Sequence, residues 1–251
     1  MDWNAAMYAF TSRVRYSEID EDLRLSIPSL VDYLQDCSTF HSDAVGRGFE
    51  HVRETGLAWL LAGWEIEIDR LPSFGEEIRV STWASGFKGL LAKRNFTVCD
   101  AADAAGAHPL VRADSRWFLF DAAQGKPVRI PEEEAAPYRD DVERFAPLDL
   151  PPMQRHIRVA DPGAAAPEVV VTGAHIDTNH HVNNAQYVSM ALGALPEHDL
   201  AGIRRVDVQY SVAAKLGDTI QPHVHACGGG DIVTLDAPDG KPYATVRVLK
   251  R

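Results

Sequence analysis

The sequence has few cysteines and no long apolar run. Only three cysteines occur among 251 residues, and their wide spacing suits neither a disulfide framework nor a zinc site. We interpret Cys37, Cys99 and Cys227 as structural thiols in a reducing compartment, the cytoplasm. No stretch approaches the ~20 apolar residues of a membrane helix, so no membrane partner is expected. The opening Met1-Asp2-Trp3-Asn4 lacks the basic and apolar regions of a secretory signal.

Positive charge is also scarce. Lysine and arginine total 25 against 36 aspartates and glutamates, which gives a formal net charge of -11. This argues against broad binding to nucleic acid or anionic lipid, because a basic footprint supplies that affinity. An acidic protein partner would need a local basic patch. The sequence offers two candidates, Arg204-Arg205 and the group of Lys88, Lys93 and Arg94.

One pattern of elements occurs twice in the chain. Each half contains a strand, a loop with an aspartate, a capped helix and alternating strands typical of antiparallel sheet. Asp20 and Asp177 lie 157 residues apart, and so do the predicted helix caps Ser26 and Asn183. The sequence therefore predicts a duplicated α+β protein. We place its domains over 1–130 and 167–251, with a connector rich in proline, alanine and acid over 131–166, and its helices over about 27–45 and 184–195.

The segment 174–184 is dense in polar side chains. It carries one carboxylate, three amides and three imidazoles directly before the second helix. Asp177, Asn179 and His181 alternate, so in an extended loop they point the same way. Histidine moves protons near neutral pH, and the N–H groups at the helix start near Asn183 could hold an oxyanion. From the residues alone, catalysis and a simple turn-and-cap role stay equally open, and a metal site on the three histidines is a further alternative.

The stretch from Ile176 to Tyr187 resembles the D-x-N-x-H-V-N-N-x-x-Y signature of acyl-acyl-carrier-protein thioesterases. The opening stretch from Arg13 to Asp20 is similar to the start of a hotdog thioesterase domain. The resemblance implies two tandem hotdog domains that form a pseudo-dimer, each with a long helix packed on an antiparallel sheet. It implies hydrolysis of fatty acyl thioesters to free fatty acid and carrier thiol, with no cofactor and no metal. The implied partner is acylated acyl carrier protein (ACP), and a homodimer is left open.

Residue roles follow from the same resemblance. It places Asp177, Asn179 and His181 in the catalytic loop and implies that the N-terminal domain holds most of the acyl chain. The first-half loop, 20–24, lacks the asparagine and histidine, and we interpret it as a copy of the site that has lost its catalytic function, with Asp20 as a structural residue. Five residues are expected to contact substrate: Val182, Asn183, Asn184, Trp59 and Trp64.

The chain departs from the family pattern at one acidic position. Relatives carry a glutamate, and plant forms an adjacent cysteine, where this chain has Ala213-Ala214. Either the three remaining residues suffice, another acid such as Asp207 or Asp218 substitutes, or turnover is slow. Three alternatives to an acyl-ACP thioesterase therefore remain: an acyl-CoA thioesterase, a hotdog hydratase or dehydratase, and a catalytically weak acyl-binding protein.

Overall fold

The computed structural model describes residues 7–103, 106–152, 154–196 and 202–250. The helices are α1 (Ile27–Ala44), α2 (Phe49–Thr55), α3 (Glu132–Ala135), α4 (Arg139–Arg144) and α5 (Asn184–Gly193). The strands are β1 (Tyr8–Arg13), β2 (Leu57–Ile68), β3 (Glu77–Lys88), β4 (Leu91–Asp100), β5 (Val111–Asp121), β6 (Lys126–Val128), β7 (Ala164–Ala165), β8 (Val169–Val170), β9 (Ile203–Tyr210), β10 (Thr219–Cys227), β11 (Gly230–Asp236) and β12 (Pro242–Lys250). None of the helices in these ranges has the length and apolar content needed to cross a membrane.

The described residues form two compact units. The first unit contains the residues up to Ala62 together with Asp69–Pro151, and the second contains Gly63–Ile68 and the residues from Pro152 onward. The division after Pro151 falls inside the stretch that the sequence predicts to be a connector. The short helices α3 and α4 therefore belong to the first unit, and the residues after them to the second.

The first unit is an antiparallel sheet with α1 packed against it. Strands β1, β3, β4 and β5 are neighbours in that order, and β6 adds to β5. Helix α1 packs on β1 and β3. It begins where Ser26 accepts the N–H of Ser29 at 3.2 Å, and Pro28 lies in the first turn, where a missing N–H has no helical partner to lose. The predicted helix is confirmed to within one residue.

A buried arginine lies inside the first unit. Arg94 is 8% exposed and contacts Nδ1 of His41 at 2.7 Å, with its guanidinium over the ring of Tyr138 at 5.2 Å. Burial lowers the pKa of His41 to about 3, so the neutral ring accepts this hydrogen bond from an arginine that can only donate. Asp141 of α4 lies 3.9 Å from the same ring. Since Arg94 is internal, the prediction that it belongs to a surface docking patch is wrong.

The second unit repeats the arrangement on a smaller scale. Its antiparallel sheet runs in the order β2 (residues Gly63–Ile68), β9, β12, β11, β10, and both β7 and β8 pair with β10. Helix α5 packs against β11 and β12. It starts where Asn183 accepts the N–H of Ala185 at 2.8 Å, as its sequence predicts. The strand before it, β8, contains only Val169–Val170, and a 3₁₀ turn over Gly173–His175 lies between that strand and the candidate loop.

One face of the second sheet carries buried charge. Glu65 and Asp207 are opposite each other on β2 and β9 and are 1% and 6% exposed. Arg205 forms ion pairs with both, and Nε of Arg247 donates to Asp207 Oδ2 at 2.7 Å. These contacts are required because an unpaired buried carboxylate is strongly destabilising. The predicted docking patch at Arg204-Arg205 is therefore wrong for Arg205, whose charge is neutralised within the unit.

Candidate active site

The loop before α5 is closed by Asp177. Its Oδ1 accepts the N–H of Asn179 at 2.8 Å and the N–H of His181 at 3.3 Å. Its own N–H donates to the carbonyl of His181 at 2.8 Å. His180 adopts a φ of +60°, in the left-handed region that residues with side chains seldom occupy. One carboxylate thus holds the backbone of both other candidate catalytic residues.

The first unit contains a loop with the same hydrogen bonds. Oδ1 of Asp20 accepts the N–H of Asp22 at 3.0 Å and the N–H of Arg24 at 2.9 Å. The N–H of Asp20 donates to the carbonyl of Arg24 at 2.8 Å, and Leu23 has a φ of 61°. The duplication that the sequence predicts is confirmed at the level of individual hydrogen bonds.

The two loops differ in side chains rather than in backbone. The positions of Asp22 and Arg24 in the first loop are taken by Asn179 and His181 in the second. Closing the loop therefore requires only the aspartate, and the amide and imidazole are additions specific to the second copy. Such an addition, on a backbone that does not need it, is what a chemical role would produce.

The candidate residues lie together at the solvent boundary of the second unit. Asp177 and His181 are half-buried, and Asn179 is exposed. The next residue, Val182, is buried, and its N–H donates to the carbonyl of Ala214 at 2.9 Å. The loop is thus fixed at its C-terminal end to the segment that follows β9, while its polar side chains remain at least partly exposed to solvent.

The role of Tyr187 in this site was not predicted from the sequence. Its hydroxyl accepts the N–H of Ala214 at 2.8 Å, so α5 and the candidate loop together hold both sides of that residue. Burial raises the pKa of Tyr187 to about 12, and the nearby charge of Asp177 acts in the same direction, so the hydroxyl stays protonated at neutral pH. The sequence feature that could have indicated this role is the place of Tyr187 as the last residue of the D-x-N-x-H-V-N-N-x-x-Y pattern.

Neither Asp207 nor Asp218 is free to replace the glutamate that relatives carry at the position of Ala213. Ala213 is exposed beside the candidate loop. Oδ2 of Asp218 accepts the N–H of Lys215 at 2.8 Å and the hydroxyl of Tyr243 at 3.3 Å. Asp207 is bound by arginines on the charged face of the sheet. Both acids are engaged in local structure, so we expect the loop to work without them.

The residues at the start of α5 surround the candidate loop. Asn183 uses its side-chain oxygen to cap the helix, and the carbonyl of Asn184 accepts the hydroxyl of Tyr210 at 3.1 Å. Val182, which precedes them, is buried. These contacts position the helix N-terminus next to His181. Substrate contact by Val182, Asn183 and Asn184 stays a prediction.

The two tryptophans expected to contact substrate occupy different environments. Trp59 is half-buried in the first unit, and its ring lies 6.3 Å from that of Phe87 and 6.4 Å from that of Tyr138. Trp64 is completely buried on β2. An enclosed ring is a core residue in this conformation, so the acyl-chain role of Trp64 would need the unit to open. Both assignments stay predictions.

The three cysteines are free thiols, and possible metal ligands are dispersed in the described ranges. Cys37 and Cys99 are buried and Cys227 is half-buried, and none of the three forms a disulfide. Burial raises the pKa of Cys37 to about 12, which keeps it a thiol. Among the residues described, no three or more histidines, cysteines, aspartates or glutamates are grouped so that they could hold a metal ion.

Comparison with known proteins places these features in a family. A model described as the acyl-ACP thioesterase N-terminal domain matches residues 6–138, and one described as the acyl-ACP thioesterase C-terminal domain matches residues 165–239. The chloroplastic palmitoyl-acyl carrier protein thioesterase of Gossypium hirsutum is 28% identical over 212 residues, which cover 76% of this chain and 48% of that protein. This chain spans about half the length of the curated relatives it matches.

Solved structures support the same assignment at the level of fold. An acyl-ACP thioesterase from Bacteroides thetaiotaomicron is similar with a TM-score of 0.86 at 22% identity, covering 98% of both chains. The 12:0-ACP thioesterase from Umbellularia californica is similar with a TM-score of 0.84 at 18% identity, covering 98% of this chain and 97% of that one. The predicted α+β double hotdog fold is confirmed. Since the N-terminal family model alone matches more than half of the sequence, the chain belongs to the acyl-ACP thioesterase family.

Proposed function

We propose that this protein hydrolyses fatty acyl thioesters of ACP and releases a free fatty acid and the carrier thiol. The observation that carries the proposal is the loop that Asp177 closes, with an amide and an imidazole added where its twin loop has neither. The matched C-terminal family domain contains this loop.

The proposed chemistry is centred on the start of α5. The thioester carbonyl lies over the helix N-terminus, where main-chain N–H groups and the helix dipole stabilise the charge that develops on its oxygen. His181 and Asp177 orient and activate a water molecule, or Asp177 attacks directly. Asn179 holds the water or the thioester oxygen. Oδ1 of Asp177 is already engaged by two main-chain N–H groups, so the reaction falls to Oδ2.

The products identify the activity. We expect the purified protein to release free thiol from acyl-ACP, in an assay over a panel of acyl lengths on both ACP and coenzyme A. The same assay tests the acyl-CoA thioesterase alternative, since faster release from coenzyme A would favour it. Enoyl thioester formation without thiol release would instead identify a hydratase or dehydratase. Tight acyl binding with no product of either kind would leave an acyl-binding protein and sink the hydrolase proposal.

Restoring the acid that relatives carry is expected to increase turnover. Ala213 is exposed, and its neighbour Ala214 is hydrogen-bonded to both Val182 and Tyr187, so a longer side chain fits without displacing the core. We expect Ala213→Glu to raise kcat about tenfold, because a carboxylate beside His181 would help orient the ring or the water. Ala213→Gln is the matched control, with similar size and no charge. An equal gain from both variants would assign the effect to packing rather than to the carboxylate.

A further inference from the structure

The connector carries an exposed concentration of positive charge in an otherwise acidic chain. Residues 154–158, named here the basic segment, have the sequence Gln-Arg-His-Ile-Arg and contain no acid. Arg155, His156 and Arg158 are all exposed. With a net charge of -11 for the whole chain, such a cluster is the place where an anionic partner would be attracted.

The backbone of the basic segment is fixed to the second unit. The side chain of Gln209 donates to the carbonyl of Gln154 at 3.1 Å and accepts the N–H of Ile157 at 2.8 Å. Arg247 donates to the side-chain oxygen of Gln154 at 3.2 Å. Because Gln154 and Ile157 are held by these contacts, the exposed charged side chains extend from a fixed backbone, which lowers the entropy cost of binding.

The charges beneath the basic segment do not neutralise it. The carboxylates on the underlying face are Glu65 and Asp207, and each is already paired with an arginine of the sheet, Arg205 or Arg247. The exposed cations of the basic segment can therefore attract an anionic partner from solvent. Arg94 and Arg205, by contrast, are engaged within their own units: Arg94 is buried, and Arg205 is paired with Glu65 and Asp207.

The strand that holds the basic segment, β9, leads directly to the segment bonded to the candidate loop. Gln209, which holds it, directly precedes Tyr210, whose hydroxyl donates to the carbonyl of Asn184 at the start of α5. Ala214, which is bonded to the candidate loop, follows five residues after Gln209, at most about 18 Å of extended backbone. Gln209 and Tyr210 point to opposite faces of the sheet. A carrier bound at the basic segment would reach the candidate site with a flexible arm passing the end of β9.

We propose that the basic segment is a docking surface for the acidic carrier protein that delivers the acyl chain. The inference rests on the proposed thioesterase function and adds to it the means by which carrier-bound substrate is preferred over small thioesters. Arg155 and Arg158 attract acidic side chains of the carrier, and the acyl thioester on its prosthetic arm enters the candidate site. Exposed charges of this kind act on encounter and are weakened by salt.

Charge reversal separates docking from chemistry. In the full-length Arg155→Glu/Arg158→Glu variant, we expect KM for acyl-ACP to rise about tenfold, with kcat unchanged and a weaker salt dependence of kcat/KM. The kcat/KM for an acyl-N-acetylcysteamine thioester, which has neither protein nor phosphate, should stay within about twofold. Lys126→Glu/Arg129→Glu is the control, since it makes the same charge change at exposed positions of the first unit and should leave KM unaltered.

A direct binding assay tests the docking proposal independently of thioester hydrolysis. Anisotropy of fluorescently labelled holo-ACP should show about tenfold weaker binding to the Arg155→Glu/Arg158→Glu variant than to the wild type. If the wild type hydrolyses no thioester but this difference appears, the hydrolase proposal fails and the docking surface stands. Unchanged ACP binding and KM would overturn the docking surface. An equal rise in KM for acyl-CoA would also overturn it, because the cations would then bind phosphate groups rather than a protein.

Discussion

Substitution of His181 by alanine is expected to lower kcat for thioester hydrolysis by about 10²–10⁴-fold, the usual contribution of a positioned acid–base group. The loop should survive the change, because Asp177 is bonded to the main-chain N–H and carbonyl of His181 rather than to its ring. The melting temperature should therefore stay close to that of the wild type. Thiol release at saturating acyl-ACP, with thermal unfolding followed in parallel, measures both quantities.

The neighbouring histidine provides the control for this result. His180 is exposed and adopts a left-handed φ, which asparagine tolerates better than most residues. We expect His180→Asn to retain nearly full activity. If His181→Ala hydrolysed acyl-ACP at the wild-type rate, or if His180→Asn were equally impaired, the assignment of the imidazole to catalysis would be rejected.

The second large effect is expected at Asp177, and the duplicated loop separates its two roles. Asp177→Asn keeps an oxygen that accepts the main-chain N–H groups of Asn179 and His181, but it removes the negative charge. We expect kcat to fall at least about 10²-fold with little change in stability. Asp20→Asn makes the same change in the same backbone geometry, and activity should be unaffected.

Alanine at the same two positions tests the structural role. Asp177→Ala and Asp20→Ala each remove the acceptor that closes the loop, and each should lower the free energy of unfolding by about 0.5–2 kcal/mol, as for a lost helix cap. Only Asp177→Ala should abolish turnover. Urea unfolding and thiol release on all four variants complete the comparison. Similar losses of activity in both loops would mean that the carboxylate acts through folding alone.

Much of the fold was predictable because its signals are local. The alternation of apolar residues identified the antiparallel strands, and capping residues located the starts of α1 and α5. The repeat of Asp20 at Asp177 was visible as spacing, and the hydrogen bonds of the two loops agree with it because both follow from the same short sequence pattern. The composition of the second loop likewise drew attention to it, because carboxylate, amide and imidazole groups are concentrated there, and the family resemblance then selected Asp177, Asn179 and His181.

The prediction that certain arginines form surface docking patches was wrong, because it depended on contacts that the local sequence does not reveal. The sequence indicated Arg94 and Arg205 as surface cations, yet each has a partner that is distant in sequence. His41 is 53 residues from Arg94, and Glu65, which pairs with Arg205, lies on β2, a strand next to β9 in the sheet but far from it along the chain. Sequence periodicity reports which face of an element is apolar, but not whether another element covers its polar face. The basic segment shows the converse, since five residues without helix or strand are held in place by contacts with Gln209 and Arg247.

The sequence by itself determined the duplicated α+β architecture, the helix caps and the loop that Asp177 closes, because each depends on residues a few positions apart. Only the tertiary structure decided which cations are paired inside the protein, that Tyr187 and Val182 hold the segment at Ala214, and that the arginines of the basic segment face solvent. These outcomes depend on contacts between distant parts of the chain, where burial and hydrogen bonding are set by packing rather than by local propensity.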